Sequence, residues 1–147
     1  MASPALATAW TVDGFVPTAQ RPTGLRILVV EDYADCAESL AMLLRLSGHD
    51  VWVAGDGPAG LKAAQEVQPD VVLLDIGLPG MDGYEVAKRL QKQQAEKKPL
   101  LVAFTGFASE ADRRHSAEVG IDLHLVKPAD PDHLLRLLRR FQGILDG

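Results

Sequence analysis

The hydrophobic residues of the chain concentrate in five short segments, each bounded by polar residues, glycine or proline. Short apolar runs with such boundaries predict buried β-strands. The segments are Leu25–Val30, Val51–Ala54, Val71–Leu74, Leu100–Phe104 and Leu123–Val126. The first, third and fourth are almost wholly apolar, which is typical of central parallel strands. Alternation typical of edge strands is read in the second from Asp50-Val51-Trp52-Val53 and in the fifth from Leu123-His124-Leu125-Val126.

A helix signal follows each predicted strand. Pairs of residues at capping-box spacing predict the starts of three helices. These pairs are Asp35 with Glu38, Asp82 with Glu85, and Ser109 with Asp112. Proline in the first turn predicts the other two starts, at Gly57-Pro58 and at Asp130-Pro131. The apolar stripe expected on the first helix is Leu40, Leu43, Leu44 and Ser47, and that on the fifth is Leu134, Leu137, Leu138 and Phe141.

Strict alternation of strands and helices predicts an α/β fold in which helices cover both faces of one parallel sheet. The central and edge assignments favour a doubly wound five-stranded sheet with strand order 2-1-3-4-5. Residues 25–147 are therefore expected to form a single domain. Residues 1–24 are rich in Ala, Thr and Pro and predict a disordered tail, in which Trp10, Phe15 and Val16 could provide a docking point.

Polar side chains stand where the predicted strands end. They are Glu31 and Asp32 after the first strand, Asp75 after the third, Thr105 after the fourth and Lys127 after the fifth. The carboxyl ends of parallel strands share one edge of a sheet, where ligands bind in such folds. Three carboxylates brought together repel one another unless a cation is present, and Mg²⁺ prefers such oxygen ligands. We therefore expect a magnesium site at this edge.

Asp75 differs from an ordinary helix-capping aspartate. A loop containing Gly77 separates it from the next helix, whose predicted cap is Asp82. Asp75 is consequently a candidate nucleophile that would form an aspartyl phosphate. Thr105 and Lys127 could hold the phosphate oxygens, so the predicted chemistry is phosphoryl transfer.

These residues, in this order and spacing, resemble those of response-regulator receiver domains of two-component signalling. The resemblance covers Leu25 to Ile144 and rests on the acidic pair, on Asp75 within Asp-Ile-Gly-Leu-Pro-Gly-Met-Asp-Gly, on Thr105-Gly106 and on Lys127-Pro128. The family has a flavodoxin-like fold. The resemblance implies phosphorylation of Asp75 by a phosphohistidine on a sensor kinase or phosphotransfer protein. It also implies that Asp32, Asp75 and the Gly77 carbonyl bind Mg²⁺, with Glu31 acting through water.

Two positions depart from the commonest family pattern. His124 occupies the place where many receivers carry a Tyr or Phe that moves inward with the threonine. His124 can act as such a switch with Thr105, or it can be a partly solvated edge-strand histidine without that role. Gly77 has no side chain to shield an acyl phosphate or to orient water, so the sequence does not predict the lifetime of the phosphorylated form.

The function expected from these features is a stand-alone receiver that switches protein partners. The switching surface would be the face formed by the fourth helix, the fifth strand and the fifth helix. The apolar side of that fourth helix is expected to consist mostly of the small residues Ala111, Ala117 and Val119, which makes the helix easier to move.

A phosphatase of the haloacid-dehalogenase type would require a second Asp at the position of Gly77. A flavodoxin-like mononucleotide binder would want a hydroxyl- and glycine-rich loop where Glu31-Asp32 stands. Both alternatives are disfavoured.

Composition adds expectations about partners and location. The net charge of −5 predicts no direct nucleic-acid binding, since there is no basic excess. The single cysteine, Cys36, excludes an internal disulfide, and no apolar run reaches membrane-spanning length, so a cytoplasmic location is expected. The partners expected are the phosphohistidine donor, an unidentified downstream protein and a possible second copy bound through the switching face. The other histidines, His49, His115 and His133, are expected to be solvated.

Overall fold

Five strands and five helices alternate along the chain in the computed structural model, which describes residues 24–78, 81–93, 98–105, 110–127 and 130–146 without the side chains of residues 105 and 110–113. The strands are β1 (Arg26–Val30), β2 (Asp50–Ala54), β3 (Val71–Asp75), β4 (Leu100–Thr105) and β5 (Leu123–Val126). The helices are α1 (Ala34–Leu46), α2 (Gly57–Val67), α3 (Gly83–Lys92), α4 (Glu110–Glu118) and α5 (Pro131–Asp146). None of the described helices is long and apolar enough to cross a bilayer.

All four strand pairings are parallel, and the strand order is β2-β1-β3-β4-β5. The predicted α/β class, sheet order and edge strands are therefore confirmed. Two apolar clusters cover the two sides of the sheet. One includes Leu44 of α1 and Leu134 and Leu138 of α5, and the other includes Ala64 of α2 and Leu90 of α3. This is the doubly wound arrangement, with helices on both faces.

Aspartate side chains cap the helices that follow β2, β3 and β5. Asp56 accepts a hydrogen bond from the Ala59 N–H, and Asp82 accepts one from the Glu85 N–H. Asp130 accepts one from the Asp132 N–H. The cap predicted at Asp82 and the cap predicted at Asp130 are thus confirmed, and α3 begins well beyond Asp75. Ser109 and the side chain of Asp112 lie outside the described part of the chain.

The capping box predicted at Asp35 and Glu38 is wrong. Helix α1 begins at Ala34 with Tyr33 in the N-cap position, and no side chain caps it. Asp35 instead lies in the first turn, where a negative charge suits the positive end of the helix dipole. The expected stripe shifts as well, because the fully buried residues are Ala37, Ala41 and Leu44, whereas Leu40 and Leu43 are partly buried and Ser47 is exposed.

Asp70 links the amino ends of neighbouring strands through hydrogen bonds. Its buried carboxylate accepts a hydrogen bond of 2.8 Å from the Arg26 N–H, and its own N–H donates to the Arg26 carbonyl at 2.8 Å. Its carbonyl accepts a hydrogen bond from the Leu100 N–H. Since these bonds join the starts of β1 and β4 to one residue, Asp70 helps to align the strands whose opposite ends carry the polar residues.

His49 is part of the fold, so the expectation that it is solvated is wrong. Its ring is partly buried, and Nδ1 accepts a hydrogen bond of 3.0 Å from the Leu25 N–H. Burial lowers the pKa of His49, although the neighbouring Asp50 opposes the shift. Protonation would remove the acceptor and leave two donors facing each other.

We therefore expect acid to destabilise the fold through His49. A lowered pKa in the folded state means that the unfolded chain binds the proton more readily. The contribution of the His49 hydrogen bond to the free energy of unfolding is therefore complete above about pH 6.5 and decreases as the pH falls below that value. Losing the bond should cost about 1 kcal/mol. Urea unfolding between pH 7.5 and 5.5 would measure it. His49→Asn, which keeps an acceptor, should flatten the dependence, whereas His133→Asn on the exposed side of α5 should not. Equal slopes in the wild type and His49→Asn would contradict the assignment.

Candidate functional site

Three carboxylates meet at the carboxyl edge of the sheet. One ligand oxygen from each of Glu31, Asp32 and Asp75 lies within 4.8 Å of the others. Glu31 follows β1, where its N–H donates to the Ala54 carbonyl, and Asp75 is the last residue of β3. Glu31 is buried, Asp75 is partly buried and Asp32 is exposed. The cluster expected from the strand ends therefore exists, with one member open to solvent.

Lys127 projects into this cluster from the end of β5. Its Nζ lies 2.7 Å from Glu31 Oε1 and 3.6 Å from Asp75 Oδ2. The sequence predicted that Lys127 would hold a phosphate. The structure places its Nζ beside Asp75, and the role toward phosphate stays a prediction. It also shows a contact that was not predicted, because the closer partner of Lys127 is Glu31.

The charges of the cluster are unevenly compensated. Burial raises the pKa of Glu31, but the hydrogen bonds from Lys127 and from the Tyr33 N–H outweigh it, and the net pKa is lowered. Burial also raises the pKa of Asp75, where the Gly77 N–H opposes the shift and the neighbouring Glu31 adds to it, and the net pKa is raised. The pKa of Lys127 is raised because Glu31 and Asp75 outweigh its own burial. Asp75 is therefore the carboxylate that a further cation would stabilise most.

Hydrogen bonds from backbone N–H groups fix the loop after Asp75. The Gly77 N–H donates to Asp75 Oδ1 at 3.0 Å, and the Gly83 N–H donates to the Ile76 carbonyl at 3.0 Å. A Cβ on Gly83 would lie 2.6 Å from the Asp75 carbonyl oxygen, closer than real contacts allow. Sequence reasoning did not assign Gly83 a role. The signal was a glycine directly after the cap Asp82, where a helix gains nothing from glycine unless the backbone packs closely.

The donor set suits a hard divalent cation. Carboxylate oxygens on Glu31, Asp32 and Asp75 are the ligands that Mg²⁺ takes in proteins, usually one or two of them together with water. The residues at this site therefore fit the expected metal. The contact seen for Gly77 is its N–H to Asp75 Oδ1, and the role of its carbonyl toward a metal stays a prediction.

The two expected switch residues lie on neighbouring strands. Thr105 ends β4 opposite Val126, and its side chain lies outside the described part of the chain. His124 lies on β5 and is partly buried, with Nε2 hydrogen-bonded to the hydroxyl of Ser116 on α4. Ser116 itself is buried. His124 thus joins β5 to α4, a contact that the spacing of the sequence did not reveal.

Comparison with known proteins gives a consistent result at the level of family. The family model described as "Response regulator receiver domain" matches residues 27–139. The DNA-binding response regulator MtrA of Mycobacterium tuberculosis is 40% identical over 114 residues, which cover 78% of this chain and 49% of MtrA. The chain spans about half the length of the curated relatives that it matches.

Solved structures agree with the fold. Chemotaxis protein CheY4 of Vibrio cholerae superposes with a TM-score of 0.76 at 29% identity, covering 81% of this chain and 99% of that one. The receiver domain of sensor histidine kinase PA1611 from Pseudomonas aeruginosa has a TM-score of 0.74 at 30% identity, covering 82% of this chain and 99% of that one. That structure has a magnesium ion coordinated in its active-site cleft.

These comparisons correct the expectation about nucleic acid. The net charge of −5 predicted no direct nucleic-acid binding, yet a relative at 40% identity is a DNA-binding response regulator. The prediction failed because the net charge of the residues shared with MtrA does not decide whether a response regulator binds DNA. The match covers 49% of MtrA, and net charge over that share carries no information about the remainder.

Proposed function

Because the chain belongs to the response-regulator receiver family of two-component signalling, we propose that it accepts a phosphoryl group on Asp75 in a Mg²⁺-dependent reaction. The observation that carries this proposal is the position of Asp75. It ends a central strand, lies within 4.8 Å of two other carboxylates and is 3.6 Å from the Lys127 ammonium. A candidate nucleophile, the Lys127 ammonium and candidate ligands for a cation thus lie close together.

In the proposed reaction, a carboxylate oxygen of Asp75 attacks the phosphorus of a phosphohistidine on the donor protein. The P–N bond breaks, its electron pair returns to the imidazole, and an acyl phosphate forms on Asp75. Lys127 and the Thr105 hydroxyl would hold the oxygens of the transferred group. Hydrolysis of the acyl phosphate returns Asp75 and inorganic phosphate.

Asp32, Asp75 and the Gly77 carbonyl would hold the Mg²⁺, with Glu31 acting through water. The bound cation would neutralise charge on the phosphoryl oxygens. Two groups of the protein also position the carboxylates of the site. Lys127 holds Glu31 in place, and the Gly77 N–H fixes the orientation of Asp75 Oδ1, which leaves Oδ2 toward Lys127.

Incubation of the protein with a small phosphodonor and Mg²⁺ tests the reaction directly. We expect an acid-stable, base-labile mass increment of one phosphoryl group, and chelation of the metal should prevent it. A control reaction with Ca²⁺ separates a general divalent effect from the octahedral preference of Mg²⁺. An increment that forms equally well in chelator would contradict the proposal.

We further propose that phosphorylation switches the face formed by α4, β5 and α5 through Thr105 and His124. The hydrogen bond between His124 and Ser116 supports this, since any movement of the His124 ring must break or carry that bond to α4. Amide spectra with Mg²⁺ and a beryllofluoride phosphate mimic should shift on this face. His124→Phe should abolish the part of the shift that reaches α4, and His133→Phe serves as control. If the amide signals of α4 do not change in the wild type, the switching proposal fails.

DNA binding is our proposal for the output that the switch controls, and it is supported by the relation to MtrA. The alternative is the stand-alone role, supported by the 99% coverage of the chemotaxis protein CheY4. Immunoprecipitation from the cells that make the protein distinguishes them. Defined DNA sites should be enriched with the wild type and much less with Asp75→Asn. If neither protein retains DNA, the stand-alone role is favoured and the DNA proposal fails.

A further inference from the structure

An apolar groove lies between α1 and α5. It forms a cavity of about 700 Å³ above the sheet, with Leu73 and Phe104 on its floor and Leu40, Leu43 and Leu134 on its walls. Its lining is almost entirely apolar, and one end reaches Glu31, Asp75 and Lys127. Apolar cavities of about 300–1,000 Å³ are typical of binding sites. The described residues therefore leave this side of the core incompletely filled.

The N-terminal segment leaves the domain at the other end of the same gap. Gly24 packs so closely on the end of α1 that a Cβ would lie 2.0 Å from the Gly48 carbonyl oxygen. The next residue, Leu25, donates its N–H to His49. His49 and Arg139 of α5 also line a smaller cavity of about 190 Å³. The chain before Gly24 thus starts beside the entrance to the space between α1 and α5.

The length and composition of residues 1–23 suit this groove. Their only charged side chains are Asp13 and Arg21, and Trp10, Phe15 and Val16 are large and apolar. Val16 lies eight residues before Gly24, a span of about 26–29 Å when extended. The 13 residues of α1 are about 20 Å long. Phe15 and Val16 can therefore reach any point along the groove.

We propose that the segment Trp10–Val16 of this chain docks in the groove between α1 and α5. The groove offers an apolar lining and the segment offers large apolar side chains, so docking would bury apolar surface of both. The tether keeps the segment at a local concentration of the order of millimolar, so even a weak contact forms. This inference concerns the tail and does not depend on phosphorylation.

Cys36 provides the test, since it is the only cysteine of the chain and lines the groove. Its rate of modification by a thiol reagent should be low in the intact wild type. Phe15→Asp combined with Val16→Asp should raise the rate about tenfold, because only the undocked fraction reacts. Thr8→Asp combined with Thr18→Asp adds the same charge at polar positions outside the docking segment and should leave the rate unchanged. Equal rates in all three proteins would overturn the proposal.

A second measurement follows Trp10 itself. In a Trp52→Phe background, Trp10 is the only tryptophan, and docking should shift its emission to the blue and protect it from acrylamide. The Phe15→Asp, Val16→Asp change should remove both effects. Emission typical of water-exposed indole before any tail substitution would refute docking. Protection of Cys36 that grows with protein concentration would identify the tail of a second copy as the occupant, which also contradicts the proposal.

Discussion

Asp75→Asn is expected to abolish phosphoryl incorporation while leaving the fold intact. The amide has nearly the shape of the carboxylate, but its oxygen is a poor nucleophile and cannot form the acyl phosphate. The Gly77 N–H that now donates to Asp75 Oδ1 at 3.0 Å can donate to the amide oxygen instead, so the loop should keep its conformation. Intact-protein mass spectrometry after incubation with phosphodonor and Mg²⁺ should show the increment only in the wild type, a difference of at least about 100-fold in rate.

A matched control separates loss of the acceptor from loss of charge. Glu38→Gln also removes one carboxylate, on the exposed side of α1, and should be phosphorylated like the wild type. Thermal unfolding of Asp75→Asn should show no loss of stability, because removing a charge beside Glu31 relieves repulsion. An increment that persists in Asp75→Asn would place the acceptor elsewhere in the cluster, first at Asp32, whose carboxylate is exposed.

The strand ends were predictable because parallel strands obey a simple rule. Once the apolar runs are assigned to one parallel sheet, the residue that follows each run must lie at the same edge. Glu31, Asp32, Asp75 and Lys127 were brought together in this way. In the structure one oxygen of each carboxylate lies within 4.8 Å of the others, and Lys127 lies 2.7 Å from Glu31 and 3.6 Å from Asp75. The argument needed only the order of elements, and none of it depended on side-chain geometry.

Side-chain contacts between distant segments could not be predicted by the same reasoning. Lys127 forms a hydrogen bond with Glu31, 96 residues away in the sequence. It pairs with Glu31 more closely than with Asp75 because of side-chain length and burial, which the hydrophobic pattern of the sequence does not specify. The bond between His49 and Leu25, and that between His124 and Ser116, depend in the same way on which side chains face each other. The start of α1 was misplaced because Asp35 and Glu38 have capping-box spacing, whereas the chain already enters the helix at Ala34.

Lys127→Met is expected to separate metal affinity from phosphoryl transfer. The ammonium lies 2.7 Å from Glu31 and 3.6 Å from Asp75, so it competes with a divalent cation for the same carboxylates. Its removal should tighten Mg²⁺ binding severalfold in a calorimetric titration. The rate of phosphorylation should nevertheless fall by about 10²–10³, which is typical of losing one donor to a developing charge. Lys62→Met, at an exposed position of α2, should change neither quantity. Weaker metal binding in Lys127→Met would mean that Lys127 chiefly holds Glu31 in place, and an unchanged rate would remove it from the phosphate-binding role.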